Sequence, residues 1–252
     1  MRKIFKFVWI ILKSILIFIA IGALSTATVK NVQKIALIES FKSKGIYQEH
    51  LSTEYVKMYM IESNEELPSY TDAGYDIIPG YAGDILISFE AIVHPFVNGF
   101  ISYFAGGHAA ICLDEYNDFE ANFDNLSSLE ATGLEGGQNL SKIFDRGYWS
   151  TNDVYDEVIG LRVKMTESQR KEVISLAGSL LGDPYNFSFL FDTKNKSYCS
   201  DIVSKVYSRV GANLNKDDFT TSIYDLLVSS DTYISYYHCY DSDGVKHIYY
   251  LG

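Results

Sequence analysis

Apolar positions divide the chain into a hydrophobic head and a patterned body. Residues 4 to 27 are almost continuously apolar, broken by Lys6 and Lys13. Phe7 to Ala27 matches the roughly 20 residues that a helix needs to cross a bilayer. Lys13 would then snorkel towards the headgroups at some cost. A secretory signal peptide cleaved near Ser25-Thr26-Ala27 is the alternative; the length of the stretch and the poor cleavage site favour the anchor. Further along, Val32, Ile35, Ile38 and Phe41 recur at helical spacing up to a break at Gly45. Tyr55, Met58 and Ile61 suggest a second short helix before Glu65-Glu66-Leu67-Pro68. The expected organisation is an anchor or signal segment over 1–30, a helical juxtamembrane stalk or cap over 31–75, and a main domain over 76–252.

The pattern changes in that main domain. Short apolar runs entered through glycine or proline predict strands at Asp84–Phe89, His108–Leu113, Ser128–Thr132 and Val158–Val163. Glu167–Leu181 is an amphipathic helix with Gly182 as its stop. A second helix starts near Cys199, presents Ile202, Val203, Val206, Tyr207 and Val210 on one face, and ends at Gly211. Lys246–Leu251 is a final strand. Strands gathered before two main helices predict an α+β fold. No internal repeat is present, which argues against solenoids and propellers.

Composition sharpens the picture. The chain has 252 residues, 47% of them hydrophobic, with 20 Tyr and 15 Phe, enough for a sizeable core. It carries 21 basic and 32 acidic residues, a net charge of −11. Five of the basic residues (Arg2, Lys3, Lys6, Lys13, Lys30) and no acid lie in the first 30 positions. The rest therefore holds 16 basic residues (21 less 5) against 32 acidic ones, or −16. A basic apolar head before an acidic body places the head's start inside and the body outside the cytoplasm. This predicts a cell-membrane protein with an extracytoplasmic body, secreted if the head is cleaved. The acidic body excludes a general nucleic-acid binder. Three cysteines are too few for a disulfide scaffold.

Chemistry is sought first at Cys199. A helix start offers unpaired N–H groups and a positive dipole end, which stabilise a thiolate and can hold an oxyanion. A small buried core cysteine is the bland alternative. His108, opening a strand after Gly106-Gly107, has the chemistry of a general base, or is a strand-end histidine bound to backbone. Glu130 stands in the otherwise apolar Leu129-Glu130-Ala131, where an acid needs a partner. Strand alternation places His108, Ala110 and Cys112 on one face, which makes Cys112 a core residue. His238, Cys239 and His247 lack metal-ligand spacing, and neither a P-loop nor GxGxxG occurs.

Gly182-Asp183-Pro184-Tyr185 after one helix, and Cys199-Ser200 opening the next, resemble the NlpC-type cysteine peptidases of bacterial cell walls. The histidine of that family normally follows the cysteine. Here Gly83-Asp84-Ile85-Leu86, Gly107-His108-Ala109 and Glu130-Ala131-Thr132-Gly133 all precede it. That order resembles the circularly permuted branch, the YiiX-like proteins related to lecithin:retinol acyltransferases, over about residues 78–212. The resemblance implies a permuted papain-like domain, an antiparallel sheet packed on helices. It implies Cys199 as nucleophile, His108 as acid and base, Glu130 as the residue orienting His108, and Tyr185 as a pocket wall. It implies no metal and no organic cofactor. The expected activity is hydrolysis of amide bonds in peptidoglycan peptides through an acyl-enzyme. A lipid or acyl substrate is the alternative, suited to the apolar stretch Phe89–Phe104, and a non-catalytic binding domain is the third reading.

Overall fold

The computed structural model describes residues 2–63, 79–90, 107–113, 126–132, 141–151, 153–189, 195–215 and 220–252. Most of the Phe89–Phe104 stretch lies outside them. The chain begins with one continuous helix, α1 (Arg2–Lys42). The head and the first stalk helix are thus a single element, because no proline or turn signal interrupts the run before Gly45. Among the described residues no helix is long and apolar enough to cross a membrane, so the transmembrane helix expected over Phe7–Ala27 is unsupported. Part of that segment's side chains lie outside the described set. Those that are described, including Trp9, Ile10, Ile15 and Ile17, are exposed.

Residues 46–61, expected in a helical stalk, instead form two strands, β1 (Ile46–Tyr47) and β2 (Val56–Ile61). The three-residue spacing of Tyr55, Met58 and Ile61 imitates a helix. On a strand, positions three apart face opposite sides. Met58 accordingly packs with Tyr236, Ile248 and Tyr250, whereas Ile61 joins the main core beside Ile38 and Phe41 of α1.

The remaining elements are β3 (Ile85–Ser88), β4 (His108–Cys112), β5 (Ser127–Ala131), β6 (Ser141–Asp145) and β7 (Glu157–Val163). These are followed by α2 (Glu167–Gly178), α3 (Cys199–Arg209), α4 (Ile223–Val228), β8 (Thr232–Tyr240) and β9 (Lys246–Leu251). Among the described residues the strands make one sheet of order β1-β2-β9-β8-β7-β3-β4-β5-β6. Every pairing is antiparallel except β2 with β9. The expected strands at β3, β4, β5, β7 and β9 and both main helices are present, in an α+β arrangement. α2 opens with a reciprocal capping box between Thr166 and Gln169. Neither β8, which bridges β7 and β9, nor α4 was expected.

Alternation divides the sheet between two cores. Ile85, Ile87, Ala109, Ile111, Leu129 and Leu161 face α2, α3 and α4, against Val173, Ile202, Val206 and Leu226. Leu86, Ala110, Cys112 and Val158 face the other way, against Trp149 and Tyr155. A buried ion network ties the layers together. Asp84, fully buried, accepts from Arg162 Nε (2.9 Å) and Nη2 (2.8 Å) on β7 and from Arg170 Nη1 (3.2 Å) on α2. Tyr207 of α3 donates to the Gly83 carbonyl at 2.6 Å. The Gly83-Asp84 pair is therefore a structural hub.

Candidate active site

α3 begins at Cys199 because the preceding segment is held extended. Ser197 N donates to the Pro184 carbonyl (3.1 Å), and Asn186 N donates to the Ser197 carbonyl (3.0 Å). Tyr198 is the N-cap, and no side chain caps this end. Helix geometry leaves first-turn N–H groups without intrahelical acceptors, so they point at whatever lies over the thiol. The helix start is pinned from the other side by Thr221. Its N–H donates to Tyr198 Oη (2.8 Å), and its carbonyl accepts from Ser200 Oγ (2.7 Å).

His108 opens β4, paired with Ser88 of β3. Gly107 before it has φ +88°, and a Cβ there would lie 2.3 Å from the Ser88 carbonyl oxygen. Only glycine fits this approach. The Cys199 sulfur sits 3.9 Å from the Gly107 carbonyl oxygen and within hydrogen-bonding reach of the His108 ring. Thiol and imidazole thus come from opposite faces of the sheet and meet at the end of β4.

His108 Nε2 lies 2.7 Å from Glu130 Oε2, which leaves Nδ1 for the thiol. Glu130 is 1% exposed and is satisfied by neighbours on both oxygens. Tyr148 Oη donates to Oε2; Ser128 Oγ (2.6 Å) and Trp149 Nε1 (3.0 Å) donate to Oε1. Burial pushes the Glu130 carboxyl up, but these bonds and the His108 charge override it and hold the group below the usual carboxylate range. Burial likewise lowers the proton affinity of His108. The hydrogen bonds to Cys199 and Glu130, and the charges of both, win and raise its pKa to about 10. The site therefore favours an imidazolium between two acids. Trp149 stacks on the imidazole, centroids 5.6 Å apart and planes 13° from parallel, and fixes its ring plane.

Tyr185 bridges Ser197, two residues before Cys199, and packs against the core that holds the cysteine; burial first, then the Cys199 charge, raises its hydroxyl pKa. It packs on Phe187 (4.9 Å between centroids) and Phe189 (6.0 Å), and Phe189 packs on Tyr198 (5.4 Å). An aromatic wall thus runs along the cysteine side of the site. The four residues singled out from the sequence, Cys199, His108, Glu130 and Tyr185, come together. Ser128, Tyr148 and Trp149 were not anticipated; the adjacent aromatics of Tyr148-Trp149 were visible, but nothing in their spacing pointed to Glu130.

A family described as permuted papain-like amidase enzymes, YaeF/YiiX, C92, matches residues 82–226, more than half of the chain. The chain belongs to this family. Its β3-to-α4 core is the permuted papain-like domain of the YaeF/YiiX amidases, and the protein is a cysteine hydrolase of the amidase or peptidase type. A solved structure, the metalloprotein YiiX from Escherichia coli O157:H7, is 16% identical, covering 61% of this chain and 94% of its own, with a TM-score of 0.44. No curated protein matches the chain. Among the described residues no group of three or more His, Cys, Asp or Glu is placed to hold a metal ion. His238 is buried against Tyr236 Oη (3.0 Å), and His247 pairs with Asp241 (3.0 Å).

Proposed function

We propose that Cys199, His108 and Glu130 form the catalytic triad of this amidase. The observation that supports it is the fully satisfied, buried Glu130 holding His108 against Cys199 at an uncapped helix start. Cys199 gives its proton to His108, and the thiolate attacks the amide carbonyl. The Cys199 backbone N–H, at the positive end of α3, stabilises the oxyanion. The imidazolium protonates the departing amine and leaves a thioester. His108 then takes a proton from water, whose oxygen attacks the thioester and frees the acid and the thiol. Glu130 holds the imidazole in one tautomer and stabilises its charged form. Tyr185 contributes, with Phe187 and Phe189, an aromatic wall on the cysteine side of the site.

In the same reading the apolar, basic-flanked start of α1 tethers the enzyme to the cell membrane with its catalytic domain outside. Its first substrate class is the amide bonds of cell-wall peptides. The aromatic wall from Tyr185 to Tyr198 favours a second class, amides or esters of a lipid acyl group.

The test uses the full chain in detergent, with iodoacetamide labelling followed site by site by mass spectrometry. At about pH 6, where an ordinary thiol is almost wholly protonated, Cys199 is expected to alkylate at least about tenfold faster than free cysteine, and His108→Ala to abolish the advantage. A Cys199 that labels no faster than free cysteine in either form sinks the triad. Release of amine from peptidoglycan fragments, set against release from N-acyl amides, then separates the two substrate classes.

A further inference from the structure

The first turns of α1 beyond the apolar head are fastened to the catalytic end of the sheet. Lys30 Nζ pairs with Asp225 (3.1 Å) and reaches Ser222 Oγ (3.5 Å) at the start of α4. Tyr224 Oη donates to Asn31 Oδ1 at 2.5 Å. Lys34 pairs with Glu157 at 2.5 Å and lies 4.1 Å from the centre of the Phe89 ring, which itself packs on Tyr224 at 4.6 Å. These contacts land on the segments that hold the thiol and imidazole. Ser222 follows Thr221, which pins the residues on either side of Cys199. Phe89 follows Ser88, the strand partner of His108. Ile223 lies 3.2 Å from where a Cβ on Gly107 would stand.

The order along α1 matters. Ile38 and Phe41 enter the main core further on, and Lys42 lies over Tyr237 and Tyr249 at the β8–β9 side. At 1.5 Å per residue, Lys30 stands only ~5 Å and Lys34 ~10 Å past Ala27, whereas Lys42 stands ~22 Å past it. The headgroup layer on one side of a bilayer is roughly 5–8 Å deep. The catalytic end of the domain is therefore the end next to the apolar head, and a helix held from Lys30 to Lys42, over more than three turns, cannot act as a loose stalk.

We propose that α1 clamps the catalytic centre at the bilayer surface, so that Cys199 acts on a carbonyl at headgroup level in a membrane-resident amphiphile. This rests on the membrane tether and the Cys199–His108 pair proposed above.

The test compares iodoacetamide in water with N-hexadecyl iodoacetamide carried in phosphatidylethanolamine–phosphatidylglycerol vesicles that contain the full chain. Ser230→Cys supplies an internal control, because position 230 is exposed and lies at the Val163–Thr232 end of β7 and β8, opposite the Glu157 end that Lys34 holds. Each thiol's labelling by the vesicle-borne probe is divided by its own labelling in water. The ratio is expected to be at least about tenfold higher for Cys199 than for the introduced thiol at position 230. Fourteen helix-forming residues inserted between Thr28 and Val29 lift the body by ~20 Å while nearly keeping its rotation. The Cys199 ratio should then fall about tenfold, with its labelling in water unchanged. Equal ratios for the two thiols, an unchanged ratio after insertion, or protein that does not float with the vesicles overturns the placement. Slow labelling of Cys199 in water counts against the triad alone, since the ratio still reports position.

Discussion

Glu130 shows how one residue's role depends on its surroundings. With donors from His108, Tyr148, Ser128 and Trp149, it is a carboxylate that has exchanged water for fixed partners. Glu130→Gln keeps the shape but removes the charge that favours imidazolium, and turnover is expected to fall about 10²–10⁴-fold, measured once an amide substrate is identified. The pH dependence of stability follows from the two shifts. Glu130 lies below its unfolded value of about 4.3, so its contribution is present above that pH and is lost on acidification. His108 is raised from about 6.5 to about 10, so its contribution is complete below about 6.5 and is lost as pH rises towards 10. The melting-temperature gap between wild type and Glu130→Gln should therefore be widest near pH 5–6.5 and close as pH approaches about 10. A gap that widens on the alkaline side would overturn this assignment of charge. Cys199, His108 and Glu130 were legible because each breaks a local pattern: a thiol at a helix start, a histidine after two glycines, an acid in an apolar strand. Tyr148 and Trp149 break none, since buried aromatics are ordinary until something shows what they touch.

Among the elements, the strands and helices with clean periodicity were legible: β3, β4, β5, β7, β9, α2 and α3. β2 was misread because its apolar residues fall three apart and are shared between two cores. β8 was missed because Thr232–Tyr240 is a Tyr-rich run without alternation: both faces of the strand are buried, Tyr237 in one core and Tyr236 in the other. What holds these elements in place includes the Asp84 network, which links β3, β7 and α2. Asp84→Asn leaves two guanidinium groups facing a neutral amide in the interior. It is expected to cost about 3–5 kcal/mol, read from urea unfolding, with β4 and its histidine loosened in consequence. A variant as stable as wild type would show that the network contributes little.

For the whole molecule, α1 is part of the domain, because Ile38 and Phe41 are buried in the same core as α2, α3 and α4. Phe41→Ala is expected to lower the melting temperature of the full chain by roughly 10 °C; an unchanged midpoint in calorimetry would mean that the helix merely leans on the body. The sequence by itself determined the α+β class, the apolar basic head, the helix start at Cys199 and the choice of Cys199, His108 and Glu130 as candidate residues. Those depend on periodicity, charge and backbone preference, which act within a few residues. Only the tertiary structure decided that β2 joins β9 in parallel, that α1 runs unbroken into the core, and that Tyr148 and Trp149 hold Glu130 while Trp149 stacks on His108. Such pairings join residues far apart in the chain, and many partners would satisfy the same local pattern. The choice among them is made by packing, which no single segment encodes.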